Sequence, residues 1–152
     1  MRWTLVGLLL LAVTSLHAQS QSVWVGASLD AAAEPNPAGH VCGLLGSAET
    51  TTFSITCLSA RGGADHQPIY DVEQGVAKLL KQVGGFDVFA LGTGGITTTS
   101  TGTNGMFSGG FAVAYKIKEG LEIVGAAKGA WSPALEDNAA PRFAVGFRYA
   151  PK

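Results

Sequence analysis

The chain has 152 residues, 47% of them hydrophobic and only 14% charged, with 21 Gly and a formal net charge of −1. This length leaves room for one domain, and so apolar a composition excludes a disordered chain. The lack of a basic tract argues against an electrostatic nucleic-acid binder, and two cysteines are too few for a four-ligand zinc site.

Residues 1–18, MRWTLVGLLLLAVTSLHA, start positively at Arg2, continue as an apolar run from Leu5 to Val13, and end in smaller, more polar residues. This is the layout of a secretory signal peptide. The apolar run is shorter than the roughly 20 residues a membrane helix needs. Cleavage is predicted after Ala18, with Ser20 as the alternative, leaving residues 19–152 as the mature domain. No later stretch reaches the length of a membrane helix. If the mature chain sits in a membrane, it must do so as a closed β-barrel.

Val23, Val25, Ala27 and Leu29 then alternate with Trp24, Gly26, Ser28 and Asp30. A period of two marks a strand. Val41 to Ala48 and Thr51 to Ser59 flank a short turn near Glu49-Thr50. Ile69 to Val83 and Phe86 to Thr97 flank Gly84-Gly85, a dipeptide suited to positive φ. The segment 70–83 also has helical spacing, with Val72, Val76, Leu79, Leu80 and Val83 at i, i+4, i+7, i+8 and i+11. A strand is the preferred reading, with Gly75 as the expected bulge, because it brings the strand count to an even number.

The last three strands are the cleanest. Phe111, Val113, Tyr115 and Ile117 alternate with Ala112, Ala114, Lys116 and Lys118. Leu121, Ile123, Gly125 and Ala127 alternate with Glu122, Val124, Ala126 and Lys128. Phe143, Val145, Phe147 and Tyr149 alternate with Arg142, Ala144, Gly146 and Arg148. The count is eight. Short connections at 49–50, 84–85 and 118–120 alternate with longer ones at 31–40, 60–68, 98–106 and 132–141. Such an order fits an all-β, antiparallel, up-and-down, eight-stranded transmembrane β-barrel with short periplasmic turns and longer external loops.

This layout resembles the small outer-membrane β-barrel proteins of Gram-negative bacteria. The family usually ends in an aromatic residue that the barrel assembly machinery recognises. Phe143 to Tyr149 looks like that strand, followed here by Ala150-Pro151-Lys152. The resemblance implies a monomer in the cell outer membrane, in contact with its lipids and with the assembly machinery. It names no partner for the external loops.

If one parity faces lipid, Phe111, Val113, Tyr115, Ile117, Leu121, Ile123, Phe143, Val145, Phe147 and Tyr149 form the lipid surface. The opposite parity directs Asp71, Glu73, Asp87, Lys116, Glu122, Lys128, Arg142 and Arg148 into the lumen. Buried charges require partners, so mixed signs predict an ion-pair network. Eight strands enclose an interior that side chains can fill. Cys42 and Cys57 are symmetric about Glu49-Thr50. Antiparallel register there pairs Cys42 with Cys57, Leu44 with Ile55 and Gly46 with Phe53. Opposed positions lie within disulfide range, and export permits the bond. The alternative is two free cysteines on a lipid face.

No catalytic motif stands out. His40 and His66 lie in predicted loops without a nucleophile elbow or zinc signature. Gly92-Thr93-Gly94-Gly95 lacks the Lys-Ser/Thr of a phosphate loop. The expectation is a non-enzymatic barrel without cofactor or metal, anchoring four external loops. The competing reading is a soluble, lipocalin-like barrel that binds a small apolar ligand. A soluble barrel would put charges outside and apolar residues inside, the reverse of the last three strands.

Overall fold

The computed structural model describes residues 20–31, 36–46, 51–62, 67–133 and 139–150. The predicted leader, residues 1–18, lies outside the described residues. Eight strands follow one another: β1 (Ser20–Asp30), β2 (Asn36–Gly46), β3 (Thr52–Gly62), β4 (Pro68–Val83), β5 (Phe86–Thr99), β6 (Gly102–Lys118), β7 (Leu121–Trp131) and β8 (Ala139–Tyr149). Each pairs antiparallel with its neighbours in the chain, and β1 pairs with β8 to close the barrel. Closure leaves no strand edge through the shared ladder, which satisfies the backbone without water.

Residues 70–83 are strand, not helix. The outward row Tyr70, Val72, Gln74, Val76, Lys78 and Leu80 is exposed, while Asp71, Glu73 and Ala77 are buried. The apparent helical spacing arises because a register shift between Leu79 and Lys81 interrupts the alternation. The bulge is therefore near Leu80 and not at Gly75. Gly75 answers a different need: a Cβ there would lie 2.0 Å from the carbonyl oxygen of Gly92. Only glycine lets β4 and β5 approach so closely at that point.

Several predicted loops are shorter than expected. β2 begins at Asn36, β3 runs to Gly62, and β5 and β6 continue as a ladder to Thr99↔Gly102. The predicted loop 98–106 is thus mostly strand, joined by Ser100-Thr101. Its outward positions include Gly105 while Met106 is buried, so the usual large-out, small-in signal is inverted there. Gly84 and Gly85 do adopt positive φ, 55° and 86°, as a tight hairpin requires.

Every predicted lipid-facing side chain takes an outward position. Phe111, Val113, Tyr115, Ile117, Ile123, Phe143, Val145, Phe147 and Tyr149 are exposed, and Leu121 is half-buried at the short-turn rim beside Tyr149 and Lys118. Val23, Val25, Leu29, Val72, Val76, Ile96 and Phe107 extend this apolar surface around the barrel. A water-soluble protein rarely leaves so much contiguous apolar area uncovered.

β2 and β3 are less cleanly segregated, although Val41 is exposed on the outer wall. Leu44, Ile55, Cys42 and Cys57 are buried in the lumen, with Gly43, Ser54 and Thr56 among the outward residues. Cys42 opposes Cys57 and Leu44 opposes Ile55. The two sulfurs are bonded, on the lumen side and not on the lipid face. The expected solution behaviour follows: alkylation of the denatured, unreduced mature protein should label neither cysteine, and prior reduction should expose both. Two labels without reductant would contradict the bridge.

Candidate functional site

The lumen is divided along its axis. Its lower part, toward the short turns, is an apolar layer of Trp24, Leu44, Ile55, Ala77, Phe89, Ala112, Ala114 and Val124. Trp24 fits because Gly146, diagonal to it across the seam, has no side chain: a Cβ on Gly146 would lie 2.7 Å from the indole Nε1. Below this layer, Arg148 Nε donates to Glu122 Oε2 at 2.7 Å, and the guanidinium lies 5.1 Å from the Phe89 ring centroid. Asp87 completes this group from 3.9 Å and accepts a hydrogen bond from Gln82.

The upper part is a charge cluster. Arg142, 3% exposed, reaches three carboxylates from β8. Its Nε donates to Asp30 Oδ1 at 2.5 Å, one terminal nitrogen reaches Asp71 Oδ2 at 3.2 Å, and the other reaches Glu73 Oε1 at 3.1 Å. Arg61 pairs with Asp30 and lies 3.3 Å from Asp71. Lys128 Nζ donates to Glu73 Oε2 at 2.8 Å. Ser108 and Thr93 donate to the same carboxylate at 2.7 and 2.5 Å, and Ser59 donates to Asp71 at 3.1 Å. Asp30, Asp71 and Glu73 balance Arg61, Lys128 and Arg142 in charge. Burial penalises isolated ions, and this mutual pairing with added hydroxyl donors is the arrangement that offsets the penalty.

Seven of the eight predicted lumen charges thus fall into one of two groups. Asp71, Glu73, Lys128 and Arg142 join the upper one; Asp87, Glu122 and Arg148 join the lower one. Lys116 does not belong. It is exposed at the short-turn rim, where the register shift between Lys116 and Lys118 ends the regular alternation. Two members of the upper cluster are absent from the predicted set. Asp30 ends β1 on the Trp24, Gly26, Ser28 parity, and Arg61 continues the Cys57, Ser59 parity of β3. Extending those alternations to the strand ends was the available signal.

Between the charge cluster and the apolar layer lies a cavity of about 30 Å³, lined by Trp24, His40, Ser59, Thr93 and Lys128 among others. A single water needs roughly 10–15 Å³ on this measure, so the space suits a few waters and no organic substrate. His40 packs edge-on to Trp24 at 4.8 Å and is half-buried in β2, not in the predicted loop; His66 lies outside the described residues. Among the described residues, no group of three metal-ligating side chains is gathered.

No protein-family model matches the chain, and no curated protein sequence is similar to it. Solved structures do resemble it. Neisserial surface protein A superposes with a TM-score of 0.67 over 87% of this chain and 96% of its own, at 5% identity. The Yersinia pestis outer membrane protein Ail, in a phospholipid bilayer nanodisc, gives 0.55 over 88% and 99%, at 13% identity. A de novo designed transmembrane β-barrel gives 0.56 over 87% and 95%, at 10% identity. The chain has the fold of the small eight-stranded outer-membrane β-barrels. Such low identity carries the architecture and nothing about ligands or partners.

Proposed function

We propose that the protein is an exported, non-enzymatic outer-membrane barrel, monomeric and closed to solutes, whose rigid wall anchors external loops for contacts at the cell surface. The observation that carries this reading is the distribution of polarity. Large apolar side chains dominate the outer wall outside β2 and β3, and ion pairs occupy the lumen on either side of an apolar layer. A lipocalin-like barrel needs the reverse distribution and a far larger apolar cavity. Residues 1–18 supply the export signal in this reading, and Phe143 to Tyr149 engages the barrel assembly machinery. The similar folds of a protein described as Neisserial surface protein A and of the attachment invasion locus protein of Yersinia pestis agree with a surface role. They do not identify what the loops touch.

Cell fractionation tests the location: the mature protein should sediment with the outer membrane and leave it only in detergent. Full recovery in the soluble periplasm would refute the reading. The closed lumen has its own test. Purified protein in a planar bilayer should show no steady conductance, because the charge cluster and the apolar layer both cross the interior. Stable channels on the order of a nanosiemens from the monomer would show that this barrel is a pore.

A further inference from the structure

The charges left outside the lumen are unevenly placed. Among the described residues, the exposed charged side chains are Lys78, Lys81, Lys116, Lys118 and Glu119. All five lie toward the short-turn end, in β4, in β6 or in the turn after β6. Lys78, Lys81 and Lys118 occupy outward positions, their ladder partners being Ala90, Val88 and Leu121. Lys116 stands exposed at the rim on the inward parity, opposite Glu122, with its backbone N–H bonded to the Gly85 carbonyl of the neighbouring turn. None of the four lysines makes an ion pair with another described residue. In the sequence, the connections 31–35 (β1 to β2), 63–67 (β3 to β4) and 132–138 (β7 to β8) contain Glu34, Asp65, Glu136 and Asp137 and no Lys or Arg.

Aromatic and apolar groups sit between the lysines. Phe86 and Tyr115 are ladder partners with rings 4.7 Å apart, and Val83 pairs with Phe86 on the other side. All three are exposed, as is Ile117 next to Lys118. Rows two strands apart are separated by about 10 Å. Lysine stems lie along apolar surface while their ammonium groups reach the polar interface. This row therefore offers apolar surface for acyl chains and, at its margin, a set of cations that form no ion pair with another described residue.

We propose that the short-turn rim of β4–β6 is a binding ledge for anionic glycerophospholipid, with Lys78, Lys81, Lys116 and Lys118 holding the headgroup phosphates and Phe86 and Tyr115 seating the upper acyl chain. The proposal rests on the outer-membrane reading and names the leaflet lipid that its short-turn end selects. Each lysine near an anionic surface is worth roughly fivefold in affinity, so removing all four has a large effect.

The test uses the refolded mature protein in detergent micelles, titrated with phosphatidylglycerol or with phosphatidylcholine of the same chains and read by native mass spectrometry. Wild type should retain phosphatidylglycerol at least about tenfold more tightly. The variant Lys78→Gln/Lys81→Gln/Lys116→Gln/Lys118→Gln should lose that preference, and the corresponding four Lys→Arg changes should keep it. Equal retention of both lipids by wild type, or an unchanged preference in the glutamine variant, overturns the ledge. Insertion into phosphatidylcholine vesicles, followed by the shift in gel mobility on heating, runs in parallel. A wild-type barrel that inserts yet shows no lipid preference defeats the ledge alone, whereas one that does not insert defeats the outer-membrane reading and the ledge together.

Discussion

Replacing Arg142 by Met is expected to lower the unfolding free energy of the barrel by about 3–5 kcal/mol, the cost of removing one partner from a buried ion pair. Arg142 is the hub of the upper cluster: it alone reaches Asp30, Asp71 and Glu73 together. Without it, three buried carboxylates face only Arg61 and Lys128. Lys128→Met should cost less, because Lys128 contacts Glu73 alone among the carboxylates and its side chain is more exposed, at 13%. The double change Asp30→Asn/Arg142→Met should cost less than the sum of its parts, since the first removes a charge that the second strands. Urea titration of protein folded in vesicles, followed by tryptophan fluorescence, measures all of these. An Arg142→Met variant within about 0.5 kcal/mol of wild type, the range of ordinary surface substitutions, would falsify the structural role of the cluster.

The cluster also bears on closure. Asp30 and Arg142 are directly opposed across the β1–β8 seam, and Gly26 opposes Gly146 lower on the same seam. A slip of one residue would turn Arg142 toward lipid and Phe143 into the lumen, because side chains alternate with a period of two. The buried pair thus fixes which residue of the last strand meets which residue of the first. Its specificity is worth having even where its net stabilisation is small, since pairing in a low dielectric is offset by desolvation.

How much of this was legible depends on side-chain size. β8 could be read directly because Phe143, Val145, Phe147 and Tyr149 are large and their alternates are small or cationic. The Cys42–Cys57 register followed from symmetry about a short turn, with no need to know which face was which. The upper halves of β5 and β6 were hidden: Gly94, Gly105 and Gly109 take outward positions there, and Met106 points in. Hydropathy cannot assign faces when glycine stands where lipid-facing bulk is expected. The members of the charge cluster were partly visible as inward parity, but their partners were not. Asp30 and Arg142 stand 112 residues apart, and only closure brings them together. Lys116 shows the converse limit, a correct parity carried past the point where the barrel wall ends.

Replacing Val145 by Arg should cost about 2–4 kcal/mol if that residue faces the middle of the bilayer. Val145 lies near the centre of β8, is 56% exposed, and is flanked by Ala27 of β1 and Gly125 of β7. Neither neighbour offers a carboxylate, and the nearest exposed polar rim is several residues away along the strand. Arginine there must bend its long side chain toward an interface or draw water into the wall, and both are unfavourable. Tyr149→Arg provides the comparison. It lies at the short-turn end of the same outward row, beside Leu121, where the same substitution should cost about 0–1 kcal/mol. Folding both variants into vesicles and comparing their denaturant midpoints separates a lipid-facing wall from a merely exposed one. Equal effects at Val145 and Tyr149, with both variants folding in water without lipid, would mean that water and not hydrocarbon surrounds this barrel.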